Sequence, residues 1–256
     1  MTDTKDLLRL LFRRDDIVAH ISDGPIDIRS LTAAVDVSRP TVHRSLKSLQ
    51  EHDVVTETPD GYRLTTYGQL VFDRYRSTLS EFETVHQNKS LLLALRDSAE
   101  ISSDMLEGAS YTRSLPFAPE RPLGVIESVV REATTVRGFS PVIVGRYVSL
   151  FHDQLMTTTL DAEILTTPAV FEYLVSNWPD QLEETIDAGL SCLVVDDSLP
   201  FGLIVVDEPV ERVCVIVYDD GTLRGVIQND SPAAVQWARD FYESYRERAT
   251  QPSINE

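Results

Sequence analysis

The residues best suited to chemistry form one basic, hydroxyl-bearing stretch, Ser38-Arg39-Pro40-Thr41-Val42-His43-Arg44-Ser45-Leu46-Lys47. Hydroxyls and helix-terminal amides hold phosphate oxygens, and arginine and lysine read guanine edges in the major groove. Val42, Leu46 and Leu49 recur at helical spacing, which buries one face of a helix running from Arg39 to about His52. The opposite face then presents Ser38, Arg39, Thr41, His43, Arg44 and Lys47. That is an inventory for double-stranded DNA. The same face can also serve a protein partner, so a winged-helix adaptor that does not bind DNA is the alternative reading.

Catalytic constellations are missing from the sequence. The histidines His20, His43, His52, His86 and His152 are not spaced as a metal pair with cysteine or carboxylate support. No histidine has a lysine two residues on, as a phospholipase-D-type site needs, and there is no Gly-x-Ser-x-Gly or Gly-rich phosphate loop. The pairs Asp196-Asp197, Asp207-Glu208 and Asp219-Asp220 read as turn residues on an acidic surface rather than a cation site. The expectation is a protein that is not an enzyme and carries no cofactor and no metal. Cys192 and Cys214 lie in the apolar runs SCLVV and VCVIV and read as core residues, with a redox pair as the alternative.

The elements around the basic helix have their own punctuation. Leucines and isoleucines from Leu7 to Ile21 follow helical spacing with a break near Arg13–Asp15, and Asp23-Gly24-Pro25 stops the run. Asp27 caps a short helix that buries Ile28, Leu31 and Val35. Ser38 caps the basic helix, whose Pro40 sits in the first turn. The runs VVTET and YRLT flank Pro59-Asp60-Gly61 and predict a hairpin, with Tyr62 and Arg63 placed to reach flanking DNA. Three helices followed by a hairpin is the order of a winged helix-turn-helix. The next helix carries Phe72, Tyr75, Leu79, Phe82 and His86 in steps of three and four, a seam for a homodimer or for packing on its own domain.

The remainder alternates. Helices at 123–136 and 147–156 and strands at 141–144 and 162–165 come first. Helices at 168–178 and 179–188 then precede strands at 190–195, 201–206, 212–218 and 222–228, and a helix at 232–248 ends the run. Early strands separated by helices predict parallel pairing, and the last three predict an antiparallel meander. The fold class is therefore α+β / α/β, an N-terminal winged helix-turn-helix with a C-terminal mixed-sheet α/β domain. The division is 1–66 for the winged helix, 67–97 for a long dimerisation helix, 98–120 for a linker and 121–256 for a regulatory domain. Open α/β sheets bind ligands at the carboxyl ends of their strands. An effector is accordingly directed to Gly145, Arg146, Thr166, Thr167, Asp196 and Asp197, with Phe201 on the rim. Arg146 can meet an anionic metabolite or form a structural ion pair.

Charge separates the two parts. The 256 residues hold 23 Lys+Arg and 41 Asp+Glu, a net of −18. Residues 1–76 hold 11 and 12 of these, nearly neutral, which leaves −17 for residues 77–256. The basic residues include only three lysines, Lys5, Lys47 and Lys89. An acidic, lysine-poor surface stays hydrated in concentrated salt and indicates a halophilic host. No uncharged apolar run approaches the ~20 residues of a spanning helix, and MTDTKDLLRLLFRRDD has no signal-peptide core, so a cytoplasmic location without membrane contact is expected.

The stretches SRPTVHRSLKSLQEHDVV, GYRLTTYGQLV, RGFSPV, LPFGLIVVDEPV, YDDGTLRGVIQNDSP and AVQWARDFYESYRERA together span both parts. Through them the chain resembles haloarchaeal winged-helix transcriptional regulators whose C-terminal part is related to the middle domain of the archaeal methanogenesis (filament) regulator. PFGL with GTLRGVIQNDSP is the specific portion; SRPTVHRSLKSL is a general winged-helix signature. The resemblance implies a sequence-specific DNA-binding regulator with a C-terminal domain that senses an effector or aids dimerisation. Sugar-responsive archaeal regulators with phospholipase-D-like sensor domains are similar at greater distance, which implies control of metabolic genes.

Overall fold

The computed structural model describes residues 3–95 and 99–252. The boundary expected between helix and linker, at Asp97 and Ser98, lies outside the described residues. The chain divides into two compact units, Met1–Thr84 and Val85–Glu256. Among the described residues no helix is long and apolar enough to cross a membrane.

The first unit holds α1 (Thr4–Arg13), α2 (Asp15–Ser22), α3 (Ile28–Ala34), α4 (Arg39–Glu51), β1 (Val55–Thr58), β2 (Gly61–Leu64) and most of α5 (Thr66–Gln87). The expected break near Arg13–Asp15 falls at Arg14, where α1 gives way to α2. Asp27 caps α3, its Oδ1 accepting from the backbone N–H groups of Arg29 (2.9 Å) and Ser30 (3.0 Å). Those contacts satisfy donors that the helix itself leaves orphaned. Leu11, Ile17, Val18, Ile21, Leu31, Val42, Leu46, Leu49 and Val54 close the core. The order of these helices and the β1–β2 hairpin is that of a winged helix-turn-helix.

The second unit holds α6 (Lys89–Leu92), α7 (Ser103–Leu106), β3 (Ser110–Arg113), α8 (Arg121–Glu132), β4 (Thr135–Ser140), α9 (Gly145–Thr157) and β5 (Asp161–Thr166). It continues with α10 (Pro168–Asn177), α11 (Pro179–Asp187), β6 (Ser191–Val194), β7 (Gly202–Glu208), β8 (Arg212–Asp219), β9 (Thr222–Asn229) and α12 (Pro232–Arg246). The seven strands form one mixed sheet in the order β3-β9-β8-β7-β4-β5-β6. β4, β5 and β6 run parallel, as expected of strands joined by helices, and β7, β8 and β9 form the antiparallel meander. Period-two alternation sends Val213, Val215 and Val217 of β8 to the face covered by α12, and Cys214, Ile216 and Tyr218 to the face covered by α8 and α9. A strand buried on both faces reads as a continuous apolar run, which is what RVCVIVY is.

Two expectations are corrected. Residues 99–120 carry α7 and β3; Met105 is fully buried, and β3 pairs antiparallel with β9. They are part of the second unit's sheet and core, not a free connection. The strand expected at Pro141–Val144 lies instead at Thr135–Ser140. Gly138 permits it, because a Cβ there would stand 2.2 Å from the carbonyl oxygen of Leu203 on β7. Pro141 has no N–H for a ladder, so the PVIV run forms a loop leading into α9.

Candidate nucleic-acid interface

On α4, Val42, Ser45, Leu46 and Leu49 are buried and Ser45 Oγ donates to Thr41 O (2.7 Å). With that face fixed, Ser38, Arg39, His43, Arg44 and Lys47 are exposed and Thr41 is half-buried at the edge. Arg39, His43 and Lys47 share one stripe by their spacing of four, with Arg44 beside it. Ser38 Oγ lies 2.9 Å from Thr41 Oγ1, which leaves the first backbone amides of the helix without a side-chain cap. Amides in that position suit a phosphate oxygen. Arg44 Nε donates back to Pro40 O (3.3 Å), and among the described residues neither it nor Arg39, Lys47 or Arg63 forms a salt bridge. The face is open, cationic and unpartnered.

The hairpin pairs Thr56 with Arg63 and Glu57 with Tyr62. Ile26 adds a third strand position: its N–H donates to Tyr62 O (3.0 Å) and its carbonyl accepts from Tyr62 N (2.9 Å). Gly61 makes this approach possible, since a Cβ there would stand 2.5 Å from the Ile26 carbonyl, and its φ is +119°. Tyr62 is thereby drawn onto the helical core. Burial, and then the neighbouring Glu57, push its phenol above the ordinary tyrosine value. Tyr62 positions the wing, and Arg63 is its exposed cation. The sequence marks Gly61 as a turn residue but carries no sign that Ile26 pairs with Tyr62.

The seam of α5 splits. Phe72 and Tyr75 are buried in the first unit's own core with ring centroids 6.0 Å apart, and Leu79 is half-buried against the same cluster. Of the five seam residues, Phe82, 74% exposed, and His86 stand clear. On α1, Leu8 and Phe12 are exposed one turn apart.

The residues directed at an effector are dispersed. Arg146 donates through two nitrogens to Glu127, the Nη2–Oε2 bond being 3.0 Å, so the structural ion pair holds it. Asp196 is exposed in a turn, and Asp197 pairs with Arg248. Phe201 is 1% exposed among Phe139, Trp237 and Phe241, on the α12 face. Thr166 ends β5 and lines a cavity on the opposite face. Cys192 and Cys214 are both free; β6 and β8 are four strand spacings apart, about 19 Å, which is far beyond disulfide reach. Burial raises their thiols to about 11 and about 12 respectively. No group of His, Cys, Asp and Glu among the described residues is arranged to hold a metal ion.

The chain thus consists of a helical unit with a two-stranded hairpin and a basic helix, and a mixed α/β unit. Residues 119–248 match the family model described as methanogenesis regulatory protein FilR1, middle domain, and residues 2–87 match the HVO_A0261 N-terminal domain. The first match spans more than half of the chain, and the protein belongs to the FilR1 middle-domain family. No curated protein matches the chain. Among solved structures it is similar to TrmBL2, an archaeal chromatin protein, at 12% identity, covering 98% of this chain and 100% of that one with a TM-score of 0.45. It is also similar to NucT from Helicobacter pylori at 8% identity, covering 56% of this chain and 98% of that one with a TM-score of 0.41. The Nuc phospholipase D family member from Salmonella typhimurium is similar at 9% identity, with coverage of 56% and 98% and a TM-score of 0.42.

Proposed function

We propose that the protein is a sequence-specific DNA-binding transcriptional regulator, acting as a homodimer on metabolic genes in the cytoplasm of a halophilic archaeon. One observation carries this reading. In a chain of net charge −18, the exposed face of α4 keeps Arg39, His43, Arg44 and Lys47 clear of any carboxylate partner among the described residues. Arg39, Arg44 and Lys47 contact base edges, Ser38 and Thr41 hold phosphate, and Arg63 on the wing contacts flanking backbone. Membership in a family described by a methanogenesis regulatory protein supports the regulatory role and the metabolic setting.

A two-fold operator needs two recognition helices about 34 Å apart. Leu70 and Phe82 on α5 and Leu8 and Phe12 on α1 are exposed apolar side chains that can hold a second copy. The second unit senses an effector or strengthens the dimer. The test is a mobility-shift assay on fragments selected from the host genome in concentrated salt. A discrete shift that Arg44→Ala with Lys47→Ala removes is expected. A folded protein that selects no fragment returns the adaptor reading.

A further inference from the structure

On the face of the sheet covered by α9, α10 and α11, the side chains leave a cavity of about 100 Å³ near the carboxyl ends of β4 and β5. Native interiors contain few voids larger than a water molecule. Ile143, Val148, Phe151, Ile164 and Val170 line this one, and each is only half-buried although apolar. Val142 and Ile143 belong to the loop that replaces the expected strand, so a wall of the cavity lacks strand or helix hydrogen bonds and can yield to a guest.

The polar groups at the cavity are already engaged. Ser140 Oγ donates to Val142 O (2.6 Å), Thr185 Oγ1 to Gln181 O (2.5 Å) and Thr166 Oγ1 to Leu193 O (3.5 Å). The Tyr147 hydroxyl faces that of Tyr218 at 3.4 Å. Among the described residues no Asp, Glu, Lys or Arg lines the space. A buried water needs two to four polar partners, and the Ser140, Thr166 and Thr185 hydroxyls already donate to backbone carbonyls. An engineered apolar cavity of about 150 Å³ stays dry and takes up benzene. The geometry points to this cavity as a binding site for a neutral, single-ring aromatic compound. An anionic metabolite does not fit, because Arg146, the cation expected to receive one, is held by Glu127 outside the lining. The inference gives chemical content to the sensing role proposed for the second unit and rests on that reading only for its regulatory meaning.

Toluene is the probe, titrated into the full-length protein, with benzoate as the charged analogue. Toluene is expected to bind one-to-one and, at a hundredfold excess over its Kd, to raise the melting temperature by about 5–10 °C. Benzoate is expected to do neither. Val170→Phe fills the space and should weaken toluene by about tenfold or more with unchanged circular dichroism. Should that variant not fold, Phe151→Leu enlarges the space and should bind naphthalene more tightly than the wild type does. The proposal is overturned by a folded wild type that shows no saturable toluene binding, or by equal binding of benzoate. It is also overturned by unchanged toluene affinity in folded Val170→Phe or unchanged naphthalene affinity in Phe151→Leu. A preparation that shifts DNA yet ignores toluene loses this site alone, and one that binds toluene but no DNA loses the regulator reading alone.

Discussion

In the second unit Arg137, Arg146, Arg212, Arg224, Arg239, Arg246 and Arg248 each meet a carboxylate, whereas on α4 and β2 of the first unit Arg39, Arg44, Lys47 and Arg63 meet none among the described residues. The chain does not lack acids to supply them; it lacks acids on that face, where α4 carries none before Glu51. In an acidic protein, cations serve two different ends. In the second unit these arginines tie elements together, and in the first unit Arg9 and Arg76 are paired while the cations of α4 and β2 stand without a carboxylate among the described residues. Substitutions should therefore separate cleanly into those that cost folding and those that cost binding.

The largest effect is expected at Glu163. Its Oε1 accepts from the Tyr242 hydroxyl (2.7 Å) and from Arg246 Nε (2.7 Å), and its Oε2 accepts from Ser191 Oγ (3.1 Å). The carboxylate joins β5, β6 and α12. Glu163→Ala removes these charge-assisted bonds and leaves the tyrosine hydroxyl without its acceptor, at a cost on the order of 3 kcal/mol to the second unit. Denaturant unfolding followed by the fluorescence of Trp178 and Trp237, both in that unit, measures it. Arg44→Ala, followed by far-ultraviolet circular dichroism because the first unit holds no tryptophan, should stay within about 0.5 kcal/mol of wild type. Equal destabilisation by both would erase the contrast between the units.

Arg44→Ala should instead cost about 1–3 kcal/mol in operator binding and relax preference at one base position. Anisotropy titrations on operators varied at single positions check this. Unchanged affinity would mean that the exposed face of α4 is not the DNA face.

Acid should divide the units less sharply. Burial pushes the Glu163 carboxyl up, but the hydrogen bonds from Arg246 and Tyr242 outweigh it and hold the pKa below the ordinary carboxylate value. Asp27 is also lowered, by the hydroxyl and then the amide of Ser30. A carboxyl lowered in the folded state binds fewer protons there than when unfolded. Its stabilisation is complete above the unfolded value, about 4 for these groups, and is lost as pH falls through the folded one. Both units should weaken only below about pH 4, and Glu163→Gln should flatten that loss in the second unit alone. A melting series from pH 7 to pH 3 would expose an acid loss that the variant leaves untouched.

Much of this arrangement is legible in the residues because local rules and the final fold agree. Ser38 and Pro40 start α4, Pro59-Asp60-Gly61 turns the hairpin, and the two-sided burial of β8 is written in RVCVIVY. The misreadings share a cause: the deciding contact lies far away in sequence. β3 is four residues in a polar stretch and becomes a strand only because β9 offers an edge. Tyr62 looks like an exposed wing aromatic until Ile26 pairs with it. The seam at Phe72, Tyr75, Leu79 and Phe82 has the same period whether its partner is the same domain or a second copy, and the first unit's own core takes two of the four outright. Val142 and Ile143 have strand composition and wall a cavity, a role that periodicity does not distinguish from a ladder.

The smallest expected effect sharpens the contrast within the first unit itself. Arg63 is exposed on β2 opposite Thr56, on a different element from α4, and no carboxylate claims it among the described residues. A cation in that position neutralises one phosphate. Its loss should weaken specific and non-specific DNA about equally and flatten the salt dependence of log K by roughly one unit. Molar salt reduces the gain from counterion release, so in a halophilic cell the wing should matter less than α4. Arg63→Ala and Arg44→Ala titrated at two salt concentrations therefore diverge: the defect of the first shrinks as salt rises, and that of the second persists. A salt-independent loss in Arg63→Ala would move the wing from backbone contact to base reading.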